Sequence, residues 1–324
     1  MRVLPILCIA IGAGAGARGA KRARVVLIPK FTPGETLVYH IEIQNTTIGK
    51  TAAPIMNSEG ATQASLKIAM RARLEVLSVA ARPEGTAVRF RLTWEESHGD
   101  AVSDALDPTS TDPAAAFAKL QGQSIEFTLL PDAALGRFEG LENVLPGGVP
   151  PPESVAWISS VVAGRGFPRA GIAPGQQWRA ERPISGSPLA GLFWSSQSTY
   201  DRNETCAPIG LAAAKTTLPP PECAVILSRL NIARHGSGRS AQTPPDYLHN
   251  GLRTAGTWTG SGEEIGSIAI GSGLLISATE TSSQSMDYTI ASASSGSSIH
   301  YSAQVQNQTG ITLLEESQRP GIGE

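Results

Sequence analysis

The chain has 324 residues, of which 41% are hydrophobic and 17% charged, and its formal net charge is −2. That balance excludes the broad positive field on which nucleic-acid binding depends, and it leaves ample apolar material for a core. Arginine outnumbers lysine by 20 to 6, a coding habit of GC-rich bacterial genomes. The abundance of Gly, Pro, Ser and Thr suits turns and strands better than helices.

The N-terminus reads as an export signal over residues 1–20. A basic start, Met1-Arg2, precedes the apolar run VLPILCIAIGAGAGA. Small-residue sites place cleavage near Ala17 or Ala20. The run is short for a transmembrane helix of about 20 residues, and no later stretch is apolar for longer. The mature chain is therefore expected to lack a transmembrane segment and to be exported, periplasmic or extracellular. GAGARG, Gly14 to Gly19, fits the spacing of a dinucleotide-binding loop but has no strand before it. Cys8 lies inside the apolar run behind Ile6 and Leu7, which does not suit lipidation. The mature chain keeps Cys206 and Cys223. In an oxidising compartment they are expected to form a disulfide worth about 3 kcal/mol.

A first β-rich half is expected over residues 25–145. Leu37, Tyr39, Ile41 and Ile43 alternate with polar residues. A polar connection follows, then the sharpest pattern in the chain, LKIAMRARLEV. There Leu66, Ile68, Met70, Ala72, Leu74 and Val76 mark one face, and Lys67, Arg71, Arg73 and Glu75 the other. The parity shifts at Leu77 and Val79, which predicts a bulge. After the turn ARPEG, Val88, Phe90, Leu92 and Trp94 form the partner of a hairpin. A polar loop is expected from about Gly99 to Thr111. A short helix then starts at Pro113, capped by Asp112, and Ile125, Phe127 and Leu129 mark another strand.

Residues 146–170 are Pro/Gly-rich and carry a predicted helix, 153–163, with Val155, Ile158, Val161 and Val162 on one face. A second β-rich half is expected over 171–316, with a flexible tail at 317–324. PGQQWRA repeats PGETLVY, and GEEIGSIAIGSGLLISATE parallels GQSIEFTLLPDAALGRFEG, both at an offset near 140 residues. The two matches suggest a duplication. The fold expected is mainly β: large antiparallel sheets, half-barrel or sandwich-like, in two related halves with a short helix between them.

Motifs of chemistry are sparse. No HExxH, GxSxG or P-loop occurs in the mature chain, and no metal or cofactor is expected. The nearest constellation is WEESHGD, which puts Glu95, Glu96, His98 and Asp100 at a strand end, where carboxylates beside an imidazole suit a cation or a proton. His40 and His300 fall at the polar parity of their strands, and Glu263-Glu264 is a weaker acidic pair. Asn45, Asn203 and Asn307 sit in N-x-T triplets, read as chance in a Ser/Thr-rich bacterial chain.

The reading is an exported, non-enzymatic envelope protein. It binds a lipid or other amphipathic small molecule in an apolar concavity lined by Trp157, Ile158 and Val161. The outline resembles the lipoprotein-carrier half-barrels, by architecture and without any motif of that family. The alternative is a structural scaffold with a closed core whose partner is another envelope protein. The third reading is a hydrolase with a site assembled from loops.

Overall fold

The computed structural model describes residues 24–52, 62–103, 113–141, 152–163, 166–184, 186–206, 221–235 and 243–318. Its strands are β1 (Glu35–Ala52), β2 (Thr62–Arg82), β3 (Gly85–Ser103), β4 (Ser124–Leu129), β5 (Leu135–Glu139), β6 (Gln177–Pro183), β7 (Leu192–Thr205), β8 (Glu222–Arg234), β9 (Leu252–Ala269), β10 (Leu275–Ser292) and β11 (Ser298–Gln318). The helices are α1 (Pro113–Ala118), α2 (Pro152–Val162) and α3 (Pro245–His249). All eleven strands form one antiparallel sheet in the order β5-β4-β3-β2-β1-β11-β10-β9-β8-β7-β6. Of the two arrangements expected, the molecule is a single open sheet and not a sandwich.

The topology is two meanders joined at their middle. β1 to β5 run outward to one edge. The chain then passes to the opposite edge, and β6 to β11 run inward until β11 pairs with β1 from Glu35↔Gln318 to Ala52↔His300. The connection between the edges shows that the sheet curls. Gly166 packs so closely on β6 that a Cβ there would stand 2.9 Å from that of Ala180, while Arg169 donates to the Pro131 carbonyl in the β4–β5 turn at 2.7 Å. Three residues of chain span at most about 11 Å and an arginine side chain roughly 7 Å more, so the edges lie within about 25 Å of each other. Flat, eleven strands would hold them about 48 Å apart.

α2 lies on the concave, inner face. Trp157, Ile158, Val161 and Val162 are 8%, 3%, 3% and 1% exposed. They share one core with Leu37, Tyr39 and Ile41 of β1, Leu74 of β2, Phe90 of β3, Phe127 of β4 and Ile226 of β8. The stripe forms because positions three and four apart on a helix share a face. The segment before β1 adds Leu27 and Phe31, whose ring meets Phe90 edge-on at 4.9 Å.

Strand lengths depart from expectation. β1 continues through NTTIGKTA, where a polar connection was expected, and β3 runs to Ser103 into the expected loop. β9, β10 and β11 likewise extend beyond the strands that the sequence marks near Leu252 to Thr259, Met286 to Ile290 and Ile299 to Thr309, and β11 takes in residues 317–318 of the expected tail. The reason is physical. Past α2 a polar band at Asn45, Thr47, Ser282 and Asn307 crosses the inner face and interrupts the apolar alternation while the ladder continues; beyond it Met286, Ala303 and Val305 are buried again. The parity break after Val76 appears as a register shift between Val76 and Ser78. The proposed export signal with Ala17 and Ala20, and the capping Asp112, lie outside the described residues.

Candidate functional site

On the outer face, β1, β11, β10, β9 and β8 line a groove of about 640 Å³. Its floor is two in-register rows running across the strands. One is Gln44–Gln308–Thr281–Glu263–Arg229, and the other Thr46–Gln306–Ser283–Ser261–Asn231. Strict period 2 puts these side chains outward, because the residues between them, such as Leu230 and Ser282, are buried on the inner face. No bulge interrupts this stretch of the four ladders, so each row stays continuous over five strands. Among the described residues, none of the ten side chains makes a hydrogen bond or an ion pair within the protein. The two rows hold one cation and one anion, Arg229 and Glu263, and are otherwise neutral amides and hydroxyls; Leu230, Gly262, Ser282 and Asn307 line the strip between them.

The outer face of β2 to β5 differs. Arg71 and Arg73 both bond Glu95, Arg71 Nε donating at 2.8 Å. Arg91 donates to Glu126 at 2.8 Å and lies 3.7 Å from Glu75; Arg89 reaches Glu126 at 2.7 Å and Glu139 at 2.9 Å. Burial opposes ionisation of Glu95, but hydrogen bonds and positive charge from Arg73 and Arg71 outweigh it and hold the carboxyl below its ordinary value. The hydrogen bond from Arg91, against a smaller burial effect and with the help of Arg89, does the same for Glu126.

The WEESHGD residues do not converge on a centre. A register shift opposite Arg71/Ala72 lets both Glu95 and Glu96 point outward. Glu95 is taken by its two arginines, while Glu96, His98 and Asp100 follow along the exposed face of β3. Among the described residues, no three His, Cys, Asp or Glu side chains are grouped to hold a metal. His40 and His300 lie on the surface beside Glu42 and Asp287 at 3.1 and 3.2 Å. Asn45 and Asn307 bond each other across the β1–β11 seam. Cys206 and Cys223 are joined by a disulfide, with Cα atoms 5.0 Å apart, packed on Ala269 and Ile276.

Trp157, Ile158 and Val161 belong to the packed core beneath the sheet. Next to it the inner face holds a small chamber of about 40 Å³ between Phe167, Trp178, Ser198, Ser228 and Glu264. The Ser198 and Ser228 hydroxyls bond at 2.9 Å, and the buried Trp178 indole N–H has no acceptor among the described residues. Sequence reasoning missed the groove. Its signal was present as Ser/Thr/Gln/Asn at every second position, but the same pattern marks any solvated strand face.

No protein-family model and no curated protein sequence matches the chain. Among solved structures, a lipovitellin structure described by its lipid–protein interactions is similar at 10% identity and a TM-score of 0.48, over 91% of this chain and 26% of that one. A Parabacteroides distasonis protein classed as a candidate lipoprotein is similar at 10% identity and a TM-score of 0.28, over 91% of this chain and 100% of that one. The chain thus spans about a quarter of the lipovitellin chain's length, and likeness at this level carries no functional argument. Among the described residues, no helix is long and apolar enough to cross a membrane.

Proposed function

We infer that the chain is an exported envelope protein that works as a binding scaffold through its outer surface, around a closed core. The observation that carries this reading is the seating of α2. The apolar concavity of the curled sheet is filled by the protein's own helix, with Ile158 and Val161 each 3% exposed. The leader-like N-terminus and the Cys206–Cys223 disulfide support export to an oxidising compartment, periplasmic or extracellular.

A second reading, carriage of a lipid or other amphipathic molecule, is favoured by the inner face beyond α2. Ile43, Leu66 and Ile68 are only partly buried there, as are Trp258, Tyr288 and Tyr301. In that case the ligand displaces α2 or lies beside it. The test is native mass spectrometry of protein purified from the periplasm without detergent. The scaffold reading expects a bare mass, shortened by the leader and lighter by two hydrogens for the disulfide. A lipid-sized adduct in that spectrum overturns the closed core and makes the carrier reading primary.

A further inference from the structure

We propose that the outer groove binds a neutral, extended polyhydroxylated chain, a glycan, laid across the strands along the two polar rows. The inference is independent of what the inner face holds. Five strands spaced about 4.8 Å apart give rows about 19 Å long, and side chains two residues apart on each strand separate the rows by about 7 Å. The slot therefore suits a linear polymer with hydrogen-bonding groups along both edges.

The chemistry of the lining selects among polymers. Gln44, Gln306, Gln308 and Asn231 each present an amide donor and an amide acceptor, and the hydroxyls between them do both as well. That alternation matches sugar hydroxyls, which also donate and accept. One arginine and one glutamate stand opposite each other at the β8–β9 end, so the lining carries no net charge to attract a polyanion such as nucleic acid or an anionic polysaccharide. An acyl chain would leave ten polar groups desolvated without partners, which is costly. An extended peptide offers its hydrogen bonds from the backbone and is best met at a sheet edge. The groove lies in the middle of the sheet, where the ladder already uses the backbone groups. With no aromatic ring in the lining, the sugars are held by hydrogen bonds at their edges.

The experiment titrates the full mature protein by calorimetry with linear malto-, cello-, manno- and chito-oligosaccharides of two to eight units. A hyaluronan oligosaccharide serves as the anionic probe and a poly-alanine/serine peptide as the peptide probe. The expected result is binding of at least one neutral series, with affinity climbing with length until the ~19 Å row is filled. Two hydrogen-bonding amides are removed in Gln306→Ala/Gln308→Ala, which should weaken that binding by about tenfold or more. Arg229→Gln should change it by less than about threefold, because the ligand is neutral. These are surface changes, and circular dichroism checks that each variant is folded. Absence of binding by every neutral series overturns the proposal. So does an unchanged affinity in the double amide variant, a preference for hyaluronan that is lost in Arg229→Gln, or tighter binding of the peptide.

Discussion

The outer faces of the two meanders obey the same period-2 rule and end in opposite states. On β2 to β5 every arginine of the alternating run finds a carboxylate on a neighbouring strand: Arg71 and Arg73 share Glu95, and Arg89 and Arg91 share Glu126. On β8 to β11, continued by β1, the two outward rows are amides and hydroxyls with Arg229 and Glu263 at one end, and none of them bonds within the protein among the described residues. Two polar faces built on the same period thus differ in how their side chains are partnered. One spends its polar groups on its own cohesion, and the other keeps them available. What separates them is the cross-strand partner, which register assigns.

The comparison breaks most sharply if the facing is wrong. Leu74 is 2% exposed at the floor of the core, and its neighbour Arg73 points outward with half its side chain in solvent. Leu74→Asp buries an unpaired charge and should cost more than about 4 kcal/mol, enough to unfold the protein in a urea titration, whereas Arg73→Ala should cost about 1 kcal/mol or less. Equal losses would mean that the β2 face has been assigned backwards.

A smaller effect belongs to the second meander alone. Reducing the Cys206–Cys223 disulfide should lower stability by about 3 kcal/mol through loop entropy. The shift in urea midpoint between oxidised and reduced protein reads this, and an unchanged midpoint would remove the disulfide from the account.

The two outer faces should also differ in what the loss of one side chain costs. Glu95→Gln strands two arginines and should cost about 1 kcal/mol, while Gln306→Ala in the groove should stay within about 0.5 kcal/mol. If the groove variant is the costlier of the two, its rows serve cohesion after all.

The smallest effect is the pH dependence. Glu95 and Glu126 have folded values held below those of free carboxyls. The unfolded chain therefore binds protons first as pH falls. Their contribution is fully present above the ordinary carboxyl value of about 4.3 and is lost as pH drops through the depressed folded values. Urea midpoints measured from pH 6 downward should show an acid-side loss that is reduced in Glu95→Gln and damped by salt. A variant that loses stability with the same acid profile as the parent would show that the arginine clamp is not its source.

Leu66 to Val76 states its own conformation, because an apolar side chain at every second position can be buried only by a strand with one covered face. The same logic makes the lower half of β1, the hairpin with β3 and the apolar stripe of α2 legible in the chain, and with them the mainly antiparallel architecture. Each of these signals is local, since burial of a residue is set by its own hydrophobicity and period. The polar ends of β1 and β3 and the middle of β10 were not legible, because where both faces of a strand are hydrophilic there is no alternation to read. Tertiary structure alone decided the rest: that β1 closes on β11, that the sheet curls until α2 fills its hollow, that a bulge turns Glu95 toward two arginines, and that ten polar side chains fall into two rows. The closure and the rows depend on register between strands near opposite ends of the chain, as where Asn45 meets Asn307, 262 residues away. Pairing at that distance is fixed by the packing of the whole molecule and leaves no mark on a short window of sequence.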